Sequence, residues 1–400
     1  MSNPPPYRAE HVGSLLRSKE LLDLWYNDHR DEGSKAADRK KQEDHDIKEA
    51  VDLQQSLGFR TITDGEIRRR LYWGTFFTDL EGMTEIQVTD LSIFRPYLKH
   101  TKLFTDSGKE GGGGTVVVCT GKIRHVKSSF LHEFEYLKTL VNPERVKDIK
   151  ITASSLEMYH LMYKQGFAYP ASVYESDDEY FADIAAAFRA EVHVLYDAGL
   201  RNIQIDDPNL GYFCDPQVHQ GWAADSLNHR TSIEQVKQYV KLINDSISGL
   251  PDDLHVALHL CKGNFKSGHW ASGGYDLIAS TLFRKCNVKT FFLEFDTERS
   301  GGFAPLKELP VDKRVVLGLI TTKTGQAEDL EQLQKRVHEA AKYMAEGSGE
   351  SEASCLQRIS VSPQCGFASA NIGNQISRDG MLSKLSLVRK LADRVWDGEP

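Results

Sequence analysis

His259 and Cys261 stand two residues apart at the end of an apolar run, Val256-Ala257-Leu258. On a strand that spacing puts both side chains on one face, where an imidazole and a thiolate can meet one ion. An isolated His-x-Cys is more often a hydrogen-bonded histidine beside a buried cysteine. Two further donors change its weight: Glu294 at the end of the next β-rich run, and Cys365 at the end of the last. One imidazole, two thiolates and one carboxylate make a tetrahedral donor set suited to Zn²⁺. A two-thiolate zinc site at strand ends has little to hold together structurally. It is better suited to binding a third thiol and lowering its pKa, so that the thiolate is nucleophilic at neutral pH.

Other β-rich runs also end in reactive groups. His11 and Ser14 lie on the first, Asp64-Gly65-Glu66 end the second, Ser154-Ser155 the third and Asp206-Asp207 the fourth. The sixth carries Asp296 beyond Glu294, and the seventh leads to Thr321-Thr322-Lys323. Polar groups gathered at one end of every strand are poorly explained by solubility and point to an enzyme.

The elements that must position them alternate along the chain. Candidate strands are His11–Ser14, Phe59–Asp64, Ile149–Ala153, Asn202–Asp206, His255–Leu260, Thr290–Phe295, Arg314–Ile320 and Arg358–Ser362. Between them, Asp178–Ala198, Ser232–Ser248, Gln326–Glu346 and Met381–Val395 read as helices. Asp178 and Ser232 are the expected N-caps, with Gln235 three residues after Ser232. Eight strands alternating with helices predict an α/β fold with a parallel sheet closed as a (β/α)₈ TIM barrel, whose catalytic groups project from the C-terminal strand ends. Residues 81–129 depart from the alternation. They read as a hairpin-like insertion after strand 2, with Thr115–Ile123 as a strand and Asp106–Glu110 and Gly111–Gly114 near a flexible tip. No Lys-Ser/Thr follows those glycines, so they are not a phosphate loop. The insertion is the one feature that suggests a homodimer. Gly347–Ser354 reads as an exposed connection.

Composition sets outer bounds. The 400 residues are 40% hydrophobic and 26% charged, enough for a large core. A net charge of -8 argues against a nucleic-acid partner held by phosphate neutralisation. No run approaches the ~20 apolar residues of a membrane span, and the start Met1-Ser-Asn-Pro-Pro-Pro-Tyr7 lacks the pattern of a secretory signal. Six irregularly spaced cysteines are no disulfide framework, which places the protein in a reducing compartment, most simply the cytoplasm. Cys119, Cys214, Cys286 and Cys355 have no spacing for a second metal site. His160, His255 and His269 read as structural, and Trp73 and Phe76 as pocket walls or core.

With these residues in view, the sequence resembles the cobalamin-independent methionine synthase superfamily, and within it the short members related to the C-terminal catalytic half. The matching stretches are Arg8-Ala-Glu-His-Val-Gly-Ser-Leu-Leu-Arg17, Thr63-Asp-Gly-Glu-Ile-Arg-Arg69, Ile203-Gln-Ile-Asp-Asp-Pro208 and His259-Leu-Cys-Lys-Gly-Asn264. Phe292-Leu-Glu-Phe-Asp296, Val316-Leu-Gly-Leu-Ile-Thr-Thr-Lys323 and Ser362-Pro-Gln-Cys-Gly-Phe367 continue them in order. The resemblance implies one barrel over residues 1–400 with 81–129 inserted in it. It implies zinc-dependent methyl transfer from a 5-methyltetrahydrofolate to homocysteine, the last step of methionine biosynthesis. The family's zinc ligands fall on His259, Cys261, Glu294 and Cys365. Its substrate-holding residues fall on Glu66 and Asp206 for the ammonium and on Ser14 for the carboxylate; the competing reading of Glu66 and Asp206 is an ion pair with Arg68 or Arg69. Two departures stand out: no second barrel accompanies this one, and Lys323 occupies the place of the family's proton-donating histidine. Lys323 and His11 are the candidate acids. Short members of the superfamily also include enzymes that open an epoxide with a thiol, so another thiol and another electrophile form the alternative pair.

Overall fold

The computed structural model describes residues 5–27, 35–72, 74–88, 90–99 and 115–399. Trp73, Asp106–Glu110 and Gly111–Gly114, singled out above, lie outside the described residues. In chain order an antiparallel pair, β1 (Glu81–Gln87) and β2 (Thr115–Arg124), precedes a six-stranded parallel sheet. That sheet runs β3 (Ile151–Ser154), β4 (Asn202–Asp206), β5 (His255–Leu260), β6 (Thr290–Glu294), β7 (Arg314–Ile320) and β8 (Ile359–Pro363), each strand beside its successor. Helices such as Asp177–Asp197, Ser232–Ile247, Leu330–Ser348 and Arg378–Trp396 return the chain between or after the strands. This is the α/β architecture of a TIM barrel. Strands buried on both faces explain why runs such as Thr290-Phe-Phe-Leu-Glu294 show no polar alternation.

The expected first two strands differ from the other six. His11–Ser14 and Phe59–Asp64 form no ladder. Their neighbourhoods touch the sheet through single parallel bridges, Ala9 to Val361 and Ile62 to Ile149. Side chains do what backbone ladders do elsewhere. Thr61 Oγ1 donates to Glu10 at 2.8 Å, Thr63 Oγ1 donates to the Gly13 carbonyl at 3.0 Å, and a His11 ring nitrogen meets the Thr61 carbonyl at 3.2 Å. The ring is therefore completed by two bridged segments joined through buried polar side chains, an arrangement that hydrophobic patterning cannot distinguish from a strand.

The two expected N-caps are displaced upstream, whereas the helix expected from Gln326 begins downstream at Leu330. Ser176, not Asp178, caps Asp177–Asp197 by accepting from the Glu179 N–H. Thr231, not Ser232, caps Ser232–Ile247 in a full capping box with Glu234. The first part of Gly347–Ser354 belongs to the helix ending at Ser348, which closes on Gly349 at φ 76°. The β1–β2 hairpin is anchored to the barrel: Tyr163 donates its hydroxyl to Val117 O at 2.8 Å, and the Ile123 N–H donates to the Tyr174 hydroxyl at 2.7 Å. All six cysteines are free. Among the described residues no helix is long and apolar enough to cross a membrane.

Candidate active site

Strand register brings the site together. Asp206 on β4 lies opposite His259 on β5, and Ser154 on β3 lies opposite Asp206, so these residues form one inward-facing row. Below that row the apolar side chains Ala257, Phe292 and Val316 make a small cluster separate from the main core, the packed floor of the barrel. Cys261 follows β5 on the face of His259. Its carbonyl is approached so closely by Gly211 that a Cβ there would come within 2.1 Å, which is why the helix Pro208–Tyr212 carries a glycine at its contact point.

Cys365 reaches Cys261 because two loops are tied to each other. Asn264 Nδ2 donates to the Gly366 carbonyl at 2.7 Å and to Ser369 Oγ at 3.1 Å, while Asn374 Nδ2 donates to Asn264 Oδ1 at 2.8 Å. From the other side, Ser14 Oγ accepts the Ala368 N–H at 3.2 Å. A Cβ on Gly366 would lie 1.9 Å from that Ser14 oxygen, so only glycine fits between the serine and the cysteine loop.

The ligand atoms of His259, Cys261 and Cys365 all lie within 4.8 Å of one another, and all three residues are buried. His259 is 1% exposed, and neither ring nitrogen has a hydrogen-bond partner among the described residues. A buried imidazole with both nitrogens unsatisfied is costly unless something else binds there. The Cys365 thiol donates to Cys261 and, with the His259 imidazole beside it, holds the Cys261 thiol well below its ordinary value. The same contact pushes Cys365 well above. The residues fit a thiophilic cation such as Zn²⁺.

Glu294, the fourth expected donor, ends β6 in full burial, but its carboxylate is engaged elsewhere. One oxygen meets Arg299 and the Ser300 hydroxyl, and the other accepts the Lys262 N–H at 2.8 Å. The three-residue cluster does not include it.

Ser14, Glu66, Asp206, His259, Cys261 and Cys365 line one cavity of about 470 Å³, its open mouth included. Glu66 sits in the left-handed region at φ 56°, uncommon for a residue with a side chain. Asp64 Oδ1 accepts its N–H at 2.9 Å and Arg17 donates to its carbonyl at 2.6 Å, and these bonds hold it there. Thr152 donates to its carboxylate at 3.0 Å. Arg68 pairs with Glu43 and Asp44, and Arg69 with Glu133, so neither closes an ion pair with Glu66 or Asp206, although the Arg69 and Arg17 charges still favour the Glu66 carboxylate. Burial raises both carboxyls, Asp206 to about 7; the Glu66 carboxylate further opposes ionisation of Asp206, and Asp64 opposes that of Glu66. No Lys or Arg side chain lines the cavity among the described residues. An incoming cation would relieve both.

The two candidate acids lie apart from this lining. His11 is held edge-on to Phe59, and burial drops its pKa to about 3, leaving a neutral ring. Lys323 donates to the Gly263 carbonyl at 2.9 Å, Asn264 Oδ1 at 3.3 Å and the Gly268 carbonyl at 2.7 Å, clamping the loop after Cys261. Phe76 packs against Phe77 and Phe188 in the core rather than in the cavity. Tyr72, Asn264 and Trp270 line the cavity without having been singled out as pocket walls. Tyr72 precedes the tryptophan that was, and only the backbone bridge of Leu71 to Ala370 tells which way it points.

A sequence model of the family described as cobalamin-independent synthase, catalytic domain, matches residues 169–385. The Bacillus subtilis protein YxjH, itself uncharacterized, is 31% identical over 393 residues, covering 98% of this chain and 95% of that protein. A solved structure from Listeria monocytogenes, described as a candidate vitamin-B12 independent methionine synthase, superposes with a TM-score of 0.70 at 27% identity and 99% coverage of each chain. A B12-independent methionine synthase from Shewanella sp. W3-18-1 shares the fold, with a TM-score of 0.67 at 16% identity over 98% of each chain. Cavity, fold and sequence agree: the chain belongs to the family of the cobalamin-independent methionine synthase catalytic domain.

Proposed function

We propose that the protein is a zinc-dependent thiol S-methyltransferase that moves the methyl group of a 5-methyltetrahydrofolate to homocysteine, giving methionine. The observation that carries this reading is the shared cavity, with an unsatisfied His-Cys-Cys cluster and a pair of buried carboxylates lining it. A zinc ion held by His259, Cys261 and Cys365 would lower the pKa of an incoming thiol and make its sulfur nucleophilic at neutral pH. Glu294 is the proposed fourth ligand, which requires its carboxylate to turn away from Arg299 and the Lys262 N–H.

The protein's own groups orient the amino acid. Glu66 and Asp206 receive the ammonium, whose charge offsets the repulsion between them, and Ser14 donates its hydroxyl to the carboxylate. Tyr72 and Trp270 give the cavity an aromatic wall. Turnover of homocysteine with 5-methyltetrahydrofolate, measured together with zinc content, tests this directly. Protein that carries about one zinc and binds homocysteine but leaves methyl-folate untouched would exclude folate as donor.

One observation favours a second reading, a thiol alkyltransferase acting with an epoxide or another electrophile. The Lys323 ammonium is committed to three oxygen acceptors and Lys323 is not among the residues lining the cavity, so it is poorly placed to protonate a folate nitrogen. Turnover of thiol with non-folate electrophiles would then exceed turnover with methyl-folate.

A further inference from the structure

Beneath Asp206 the barrel interior holds a chain of buried polar side chains that no step above uses. Lys150, just before β3, is 1% exposed. Its ammonium donates to the His11 carbonyl at 2.5 Å and to Gln204 Oε1 at 2.8 Å, with the Glu10 carboxylate at 3.6 Å. Gln204 lies two residues before Asp206 on β4 and so shares its face. Its Nε2 donates to the Val12 carbonyl at 2.7 Å and to Asp206 Oδ1 at 2.6 Å.

These contacts leave the amide one orientation. Turned over, its oxygen would face a carbonyl oxygen and a carboxylate, and its N–H groups would face an ammonium. The cation at the oxygen end polarises the amide and strengthens the hydrogen bond delivered at the nitrogen end. The other charged neighbours of Asp206 are Glu66, of like sign, and His259.

We propose that Gln204, locked in place by Lys150, is the positioning residue that makes the cavity selective for thiols carrying a free ammonium, because it fixes the direction in which Asp206 presents its carboxylate. The proposal rests on the reading of Asp206 as the ammonium's partner. Gln204 touches no substrate and acts only through Asp206.

The test is calorimetric binding of two thiols to the zinc-loaded protein: homocysteine and 4-mercaptobutanoate, which differ only in the amine. Wild-type protein is expected to prefer homocysteine. Gln204→Glu replaces the donor with a repelling carboxylate, and that preference is expected to fall by about 10- to 100-fold, the span for losing a hydrogen bond to a charged group. Binding of 4-mercaptobutanoate should stay unchanged. Gln204→Met, which neither donates nor repels, should fall between the two. If Gln204→Glu does not fold, Gln204→Met alone decides. A folded variant that keeps the wild-type preference overturns the proposal, as does equal weakening of both thiols, which a merely structural role would produce. Wild-type protein that shows no preference overturns the ammonium reading itself, a result distinct from either.

Discussion

The two ends of the cavity are built on opposite principles. At the sulfur end, His259, Cys261 and Cys365 converge with the imidazole nitrogens unpartnered. At the carboxylate end, Asp206 and Glu66 each accept a hydrogen bond from a buried side chain, Gln204 and Thr152, and the Glu66 backbone is held from both sides. The first end offers one imidazole and two thiol donors to a thiophilic cation. The second already has its directions set, with no cationic side chain among the described residues of the cavity lining. On the proposed function, one cavity separates activation of the sulfur from recognition of the amine, and substitutions at the two ends should fail in different ways.

The largest effect is expected at the sulfur end. Cys365→Ala removes one of two thiolates, and zinc content should drop from about one per chain to near zero, with activity falling by roughly 10³-fold or more. Elemental analysis with a turnover assay checks it. Retention of stoichiometric zinc would break the distinction between the two ends.

Next comes the carboxylate end. Asp206→Asn should leave zinc in place and weaken homocysteine binding by about 100-fold, the cost of leaving a buried charge without its partner. The same carboxyl predicts a pH dependence. Its folded-state pKa is raised to about 7, so below that pH it is protonated and cannot hold an ammonium by charge. The preference for homocysteine over 4-mercaptobutanoate should therefore rise with pH up to about 7 and level off above it, and Asp206→Asn should flatten this limb. For stability the sign is reversed. A carboxyl raised on folding stabilises the ligand-free protein below its unfolded value and loses that contribution as pH climbs through 7. Denaturant midpoints should fall between pH 4 and 7, less steeply in Asp206→Asn.

Much of this site was legible because strands announce themselves. Asn202–Asp206, His255–Leu260 and Arg314–Ile320 have the boundaries read from sequence, and period-two spacing alone placed His259 and Cys261 on one face. What could not be read depended on loop geometry or on partners distant in sequence. The contact of Ser14 with Gly366, the commitment of Glu294 to Arg299 and the clamp formed by Lys323 each join residues whose pairing leaves no local pattern. The first two segments of the ring were read as full strands, but they meet the sheet through isolated backbone bridges and each other through side chains.

Glu294 offers an intermediate effect. Because its carboxylate already has three partners in this structure, moving it to the metal forfeits those bonds, and the net gain is only the difference. Glu294→Gln should lower zinc affinity by about tenfold, well short of Cys365→Ala, as measured by chelator competition.

The smallest effect is expected at Lys323, where it is most informative. A general acid contributes roughly 10²- to 10⁴-fold to the step it assists, so Lys323→Met would be severe if the ammonium delivered the proton. Its three acceptors lie on residues 263, 264 and 268, in the loop that follows Cys261. Removing the ammonium should loosen that loop, raise KM by a few-fold and leave kcat within about threefold, since the charge-assisted bonds of this half-buried lysine hold the loop rather than touch the reacting atoms. Lys323→Arg, which keeps the charge and can still reach carbonyl acceptors, should restore KM. A collapse of kcat with unchanged KM in Lys323→Met would instead make this lysine the functional replacement for the family histidine. The cavity would then have a third working end, at the loop that joins the other two.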